Sequence, residues 1–148
     1  MRANQKRLFS VDLTRMGSTV LRSEEISKEI AGADQKIVIT PSGNALLFQK
    51  CESFLDRRFI KSRDAFDIDV LLKKGPSLDH NHKAHLEDFL RMKELGSKSI
   101  RGRINRVDAK LCTAELRPVL PDRVFSALAE RDFTPLRLSL EKVFADWL

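Results

Sequence analysis

The sequence predicts an α+β fold, in which a small sheet with accompanying helices is followed by a bundle of helices. Residues 8–14 alternate between apolar and polar side chains, which is the pattern of a half-buried strand. Residues 36–40 are rich in β-branched side chains and predict another strand. After Pro76 the apolar residues recur every three or four positions, which is the period of an amphipathic helix. We therefore expect a partial α/β region at residues 1–76 and a helical bundle at residues 77–148.

Short elements are expected within the α/β region. A short strand is predicted at residues 19–21, and Ser23 is expected to begin a helix because two glutamates occupy its first turn. Thr40 and Pro41 have the character of an N-cap followed by proline at the first helical position. This pair predicts a helix that continues to about Arg57.

The last helix of the α/β region is predicted at residues 63–74. It ends in two lysines followed by Gly75 and Pro76, which place cations in the last turn before a glycine and a proline. The side chains expected to face the core from this helix and the preceding one are Leu47, Cys51, Phe54, Leu55, Phe66, Val70 and Leu71.

The bundle is expected to contain four helices. They are predicted at residues 81–95, 97–112 and 121–130 and after the Thr134-Pro135 pair, and Gly96 separates the first from the second. Spacings of three and four indicate the inward positions, which are Leu86, Phe89, Leu90, Met92, Ile100, Ile104, Val107, Leu111, Val124, Phe125, Leu128, Leu136, Leu140, Val143, Phe144 and Trp147.

The composition is that of one soluble globular domain. The 148 residues are 42% hydrophobic and 32% charged, so the chain can bury a core and differs from a disordered segment. No apolar run approaches the roughly 20 residues of a membrane helix, and no secretion signal is recognised. Cys51 and Cys112 lie in apolar periodic segments, which predicts reduced core thiols and a cytoplasmic location. The net charge of +6 permits a polyanionic partner.

Charged residues with helical spacing are concentrated in the last two helices of the α/β region. Lys50 and Arg57 are seven residues apart and lie two turns apart on one helix face. Asp67 shares a face with Arg63, four residues before it, and with Asp64, three residues before it. Such a face can hold a phosphate or a phosphate-bound metal, or it can be a solvated, salt-bridged surface. Spacing alone favours the salt-bridged surface.

Two other groups of potential metal ligands are present. His80, His82 and His85 are closely spaced, but no cysteine or second cluster completes a tetrahedral zinc set, so a solvated helix start is predicted. Asp67 and Asp69 have Asp-x-Asp spacing, but residues two apart on a helix do not face the same way. We therefore assign a metal to neither group.

A basic face is predicted on the helix that begins near residue 97. Lys98, Arg101, Arg106 and Lys110 lie mainly opposite its apolar stripe, and Arg103 lies beside them. A face of this kind can contact phosphates. No aromatic residue is interleaved with these cations, so the sequence offers no stacking platform for a single strand. A solvated face is favoured over a nucleic-acid groove.

The charged residues of the α/β region resemble a motif of the abortive-infection AbiE-type nucleotidyltransferase toxins, which belong to type IV toxin–antitoxin systems. The motif is a lysine, an arginine seven residues later, and then Arg-Asp-x-x-Asp before an apolar run. The matching residues are Lys50, Arg57, Arg63, Asp64 and Asp67. An acidic residue on an upstream strand also corresponds and is Asp12 here. The resemblance covers about residues 8–75, and the later helices suit the family's C-terminal bundle.

The resemblance implies a partial DNA-polymerase-beta-like nucleotidyltransferase sheet. It implies transfer of a nucleoside monophosphate from an NTP to an acceptor such as tRNA, with Mg²⁺ as cofactor and an antitoxin as partner. Asp12 would be a catalytic residue and a metal ligand close to the attacking oxygen.

The resemblance also implies roles for the five motif residues. Lys50 and Arg57 would neutralise the triphosphate, and Arg63 would be a structural or phosphate partner. Asp64 and Asp67 would position these cations or help the acceptor hydroxyl to lose its proton. The implied catalytic set is Asp12, Lys50, Asp64 and Asp67, and the implied nucleotide-binding set is Lys50, Arg57 and Arg63.

The first motif of the family, Gly-Ser followed by Asp-x-Asp, has no counterpart, because only eleven residues precede Asp12. We therefore expect a truncated product, half of a split enzyme or a remnant, without transfer activity in the isolated chain. The alternative function is binding of nucleotide, RNA or a partner protein without catalysis. A sheet without its first strands exposes an edge, which predicts self-association or pairing with an N-terminal partner.

Overall fold

The computed structural model describes residues 21–24 and 38–148. Within these ranges the strands are β1 (Leu21–Glu24) and β2 (Val38–Pro41). The helices are α1 (Gly43–Asp56), α2 (Ser62–Lys73), α3 (His80–Met92), α4 (Ser97–Asn105), α5 (Ala109–Leu116), α6 (Asp122–Ala129) and α7 (Thr134–Val143), followed by a 3₁₀ turn (Ala145–Trp147). This part of the chain is mostly helical, in agreement with the predicted bundle. None of its helices is both long and apolar enough to cross a membrane.

β1 and β2 form a two-stranded antiparallel sheet in which Leu21 lies opposite Pro41. The strand predicted just before Pro41 is confirmed by β2. The helix expected to begin at Ser23 is wrong, because Ser23 pairs with Ile39 in the sheet. The strand predicted at residues 8–14 lies outside the described residues. The two described strands alone do not show the larger nucleotidyltransferase sheet.

Helix α1 begins two residues later than predicted. Pro41 is the last residue of β2 rather than the first residue of the helix. Ser42 is the N-cap, and its hydroxyl oxygen accepts a hydrogen bond from the backbone N–H of Ala45 at 3.2 Å. A Cβ at Gly43 would lie 2.7 Å from Cγ of Pro76, so the turn after α2 packs closely on the start of α1.

Helix α2 ends at the predicted stop signal, but its buried positions differ from those predicted. Gly75 has a φ of 107°, a conformation that favours glycine after a helix end. Phe66, Val70 and Leu71 were expected to be inward and are only partly buried. Phe66 and Leu71 still pack against the core, but two aspartates occupy buried positions that apolar spacing did not indicate. The buried residues of α2 are Ser62, Asp64, Ala65, Ile68 and Asp69.

Two helix ends in the bundle differ from the prediction. α3 ends at Met92, which is exposed rather than inward, and Glu94 follows with a left-handed φ of 54°. The single helix predicted at residues 97–112 is in fact two helices. The carboxylate of Asp108 accepts a hydrogen bond from the backbone N–H of Leu111 at 2.8 Å, and this N-cap begins α5 as a separate helix.

The described helices share one hydrophobic core. Phe54 of α1 and Phe144, which follows α7, are both fully buried, and their ring centroids lie 6.0 Å apart. These rings come from opposite sides of residue 76, so the two predicted regions pack against each other. The division into regions at that residue stays a prediction.

Cys51 and Cys112 are buried free thiols, which confirms the prediction from their apolar surroundings. Burial raises the pKa of Cys51 far above its ordinary range and raises the pKa of Cys112 to about 12. Both thiols are therefore protonated at neutral pH and behave as small apolar core groups.

A side chain from α5 caps the N-terminus of α2. Lys61, the N-cap residue, makes no capping bond with its own side chain. Instead, Oε2 of Glu115 accepts hydrogen bonds from the backbone N–H of Ser62 at 2.7 Å and from its hydroxyl at 2.9 Å. Burial alone would raise the pKa of Glu115, but hydrogen bonds from Ser62 and Lys61 outweigh it and lower the pKa below 4.5.

We expect Glu115→Gln to weaken the dependence of stability on acidic pH. A carboxyl whose pKa is lowered by folding contributes stability above its unfolded pKa, and this contribution is lost as the pH falls through the folded pKa. The wild-type chain should therefore lose more stability than Glu115→Gln as the pH falls below about 4.5. Urea unfolding over a pH series measures the difference, with the exposed Glu141→Gln as control. Parallel pH profiles for wild type and Glu115→Gln would contradict the assignment.

Candidate functional site

Helices α1 and α2 form a hairpin that positions the charged motif residues. Five residues, 57–61, join the two helices, and a loop of this length is typical of antiparallel neighbours. Lys50 lies in the middle of α1 and Arg57 is its C-cap residue, while Asp64 and Asp67 lie in the first turns of α2. The hairpin therefore brings both cations against the N-terminal half of α2.

Four predicted site residues form one ion-pair network, which we term the α1–α2 ion cluster. Its members are Lys50, Arg57, Asp64 and Asp67. Nε of Arg57 donates to Oδ2 of Asp64 at 2.7 Å. Nζ of Lys50 lies 2.7 Å from Oδ2 of Asp67 and 3.9 Å from Oδ1 of Asp64. Asp64 thus lies between the two cations, of which Lys50 lies within α1 and Arg57 is its C-cap residue.

The α1–α2 ion cluster is buried on one side and open to solvent on the other. The side chain of Asp64 is only 3% exposed, whereas the other three members are between 34% and 49% exposed. The prediction of a solvated, salt-bridged surface is therefore correct for the outer half of the cluster only. A buried carboxylate holds the cations in position, and their outer surfaces remain accessible to an anion.

Of the other two predicted site residues, Arg63 is not part of the cluster. Arg63 is exposed and makes no ion pair with residues 38–148. Asp67, which was expected to share a face with Arg63, pairs with Lys50 instead. Asp12 lies outside the described residues.

A second buried carboxylate, Asp69, connects α2 to α7. The hydroxyl of Ser139 donates to its Oδ1 at 2.7 Å, and Nζ of Lys73 lies 2.6 Å from its Oδ2. These partners differ from those of Asp67, as expected for residues two apart on a helix. Sequence reasoning missed this contact, although an aspartate within an apolar run was a possible signal.

Arg103 of α4 holds the end of α1 from which Arg57 extends. Its Nη1 donates to the backbone oxygens of Phe54 at 3.1 Å and Arg57 at 2.9 Å. The last turn of α1 has no basic residue of its own, so Arg103 satisfies carbonyls that the helix leaves unpaired. A bond to a main-chain carbonyl requires no particular side chain in the partner, so no sequence pattern identified this role.

The described residues do not fit a metal ion. Among them, no three His, Cys, Asp or Glu side chains are grouped so that they could hold one. His80 and His85 are exposed, but His82 is buried with its ring centroid 5.2 Å from that of Phe48. The predicted solvated helix start is therefore wrong for His82. The expectation of Mg²⁺ depends on Asp12 and stays a prediction, and we assign no chemical step to a metal.

Comparisons with protein-family models, with curated proteins and with solved structures gave no match. They assign no family to the chain. A function must therefore be inferred from the geometry of the α1–α2 ion cluster and from the resemblance of its residues to the toxin motif.

Proposed function

We propose that this chain is the nucleotide-binding part of a nucleotidyltransferase-like toxin of the AbiE type, and that the α1–α2 ion cluster binds the triphosphate of an NTP. One observation supports this most directly. Two cations and two carboxylates with the order and spacing of the toxin motif meet in a single, half-open network. The polymerase-beta-like sheet, Mg²⁺, a tRNA acceptor, an antitoxin partner and a cytoplasmic location belong to the same proposal and depend on the resemblance.

In the proposed site, Lys50 and Arg57 contact phosphate oxygens. Within the described residues the side chain of Arg57 bonds through Nε only, so its terminal amino groups remain for a bidentate phosphate contact. Asp64 holds the guanidinium in one orientation, and this reduces the entropy lost when the phosphate binds.

Asp67 occupies the place of an anion beside Lys50. Its carboxylate lies 2.7 Å from Nζ and is partly exposed, so it can rotate into solvent when a phosphate arrives. Because the cluster contains two cations and two carboxylates, a phosphate gains a net positive site only after Asp67 has moved away. Asp67 therefore competes with the triphosphate for Lys50.

We expect Lys50→Ala to weaken NTP binding by the purified chain about tenfold or more, because it removes a charge-assisted contact to phosphate. Asp67→Asn should strengthen binding, because it removes the competing charge. Isothermal titration with each NTP measures both changes. Lys73→Ala is a matched control, since Lys73 also pairs with an aspartate of α2, at 2.6 Å, but lies outside the cluster. Equal losses in Lys50→Ala and Lys73→Ala, or no loss in Lys50→Ala, would exclude the cluster as the triphosphate site.

Transfer of label from each NTP to total tRNA, with magnesium present, separates an enzyme from a nucleotide binder. Transfer that is lost in both Asp12→Ala and Lys50→Ala would identify an active transferase. Triphosphate binding without transfer would identify the alternative, a non-catalytic remnant that binds nucleotide.

A further inference from the structure

A shallow groove of about 440 Å³ runs along α4, and we term it the α4 groove. Three of its six lining residues are cations and none is acidic. The lining residues are Leu95, Lys98, Ser99, Gly102, Arg103 and Arg106. Gly102 leaves open space where a side chain would stand, so the surface between the cations is accessible.

None of the three cations of the α4 groove forms an ion pair with a carboxylate within residues 38–148. Lys98 and Arg106 are exposed and form no ion pair with residues 38–148, and Arg103 bonds to two carbonyl oxygens. Burial and the neighbouring Arg106 lower the pKa of Arg103 from its ordinary value, while Asp56 opposes this shift. Asp56 itself pairs with Lys93 at 2.8 Å. An anion in the groove would relieve the repulsion between the cations.

The spacing of the cations fits a chain of phosphates better than a single phosphate. Lys98 and Arg106 are eight residues apart, which corresponds to about 12 Å along a helical axis. Arg103 lies between them and is held by the end of α1. Successive phosphates of a phosphodiester backbone can contact cations at both ends of this stripe, without requiring the two side chains to converge on one point.

An exposed aromatic side chain lies in the loop that Arg103 of the α4 groove contacts. Phe59 is 70% exposed, and the guanidinium of Arg58 lies 5.3 Å from the centroid of its ring. Phe59 is two residues, at most about 7 Å of chain, from Arg57, whose carbonyl oxygen bonds to Arg103. The sequence showed no aromatic residue among the cations of α4, but the fold supplies one from the loop between α1 and α2.

We propose that the α4 groove binds a single-stranded nucleic-acid segment, whose phosphates contact the three groove cations and one of whose bases stacks on Phe59. Phosphate contacts combined with an aromatic stacking surface are the usual elements of single-strand binding. This site differs from the α1–α2 ion cluster and goes beyond the proposed triphosphate site.

Binding of labelled RNA and DNA oligonucleotides of about twelve nucleotides tests the proposal, with fluorescence anisotropy recorded over a salt series. Three phosphate contacts predict a slope of log K against log salt near −2, because each contact to a single strand contributes about −0.7. Lys98→Ala combined with Arg106→Ala should reduce the slope to about −0.7. Phe59→Ala should weaken binding about fivefold or more and leave the slope unchanged.

Arg123→Ala is the control, because Arg123 is an exposed cation of α6 outside the groove. All substituted side chains are exposed, and far-UV circular dichroism verifies that each variant is folded. Absence of binding by the wild-type chain, or equal losses in the groove variant and Arg123→Ala, would overturn the proposal. Equal affinity for inorganic polyphosphate with no effect of Phe59→Ala would also overturn it, in favour of a general polyanion surface. No NTP is present, so binding of nucleotide at the proposed triphosphate site does not contribute to the signal.

Discussion

Phe54→Ala is expected to lower the free energy of unfolding by about 3–5 kcal/mol. Phe54 is fully buried on α1, and its ring packs against that of Phe144, with 6.0 Å between the centroids. The substitution removes a large apolar group and leaves a cavity, which packed helices fill only partly. Urea unfolding followed by circular dichroism measures the change in stability.

Phe59→Ala is the matched control for Phe54→Ala, because it removes the same atoms from a side chain that is 70% exposed. Its effect should lie within about 0.5 kcal/mol. Phe144→Ala combined with Phe54→Ala should lose about 0.5–1.5 kcal/mol less stability than the sum of the two single variants, because both single variants already lose the stacking of the two rings. A loss below about 1 kcal/mol for Phe54→Ala would contradict a core shared between α1 and the end of α7.

Asp69→Ala is expected to lower the free energy of unfolding by about 2–3 kcal/mol. The buried carboxylate accepts a hydrogen bond from Ser139 at 2.7 Å and pairs with Lys73 at 2.6 Å. Lys73 is 65% exposed and stays hydrated after the substitution, so the loss comes mainly from the Ser139 hydroxyl that is left without its acceptor. The same unfolding measurement detects the change.

Asp67→Ala is the control for Asp69→Ala, because it removes an aspartate from the same helix at a partly exposed position. Its effect on stability should be below about 1 kcal/mol, as for other exposed ion pairs. Asp69→Asn should lie between wild type and Asp69→Ala, because the amide oxygen can still accept from Ser139. Equal effects of Asp67→Ala and Asp69→Ala would show that the connection between α2 and α7 does not depend on this buried pair.

The α1–α2 ion cluster was largely predictable because its members are close in the chain. Lys50 and Arg57 share a helix face, and the first turns of the next helix carry Asp64 and Asp67, so a short loop is sufficient to bring them together. The burial of Asp64 was not predictable. Apolar spacing placed Phe66 inward, whereas paired charge allows a carboxylate to occupy a buried position.

Contacts between residues that are far apart in the chain could not be predicted from the sequence. Glu115 caps Ser62 from 53 residues away, and Ser139 donates to Asp69 from 70 residues away. The contact between Arg103 of the α4 groove and the carbonyl of Arg57, which joins the groove to the loop that carries Phe59, spans 46 residues. Such pairings depend on how helices pack, and the sequence near each partner carries no sign of the other.

Most of the helices, β2 and the order of the charged residues could be predicted from the sequence. The helical spacing of the charged residues and the end of α2 before Gly75 can each be read from a short stretch of sequence, because local chemistry is sufficient to specify them. The burial of particular charges, in contrast, depends on how the helices pack. Asp64 and Asp69 are buried because other side chains supply cations and hydrogen-bond donors to them. A buried charge without such partners would lower the stability of the fold too much.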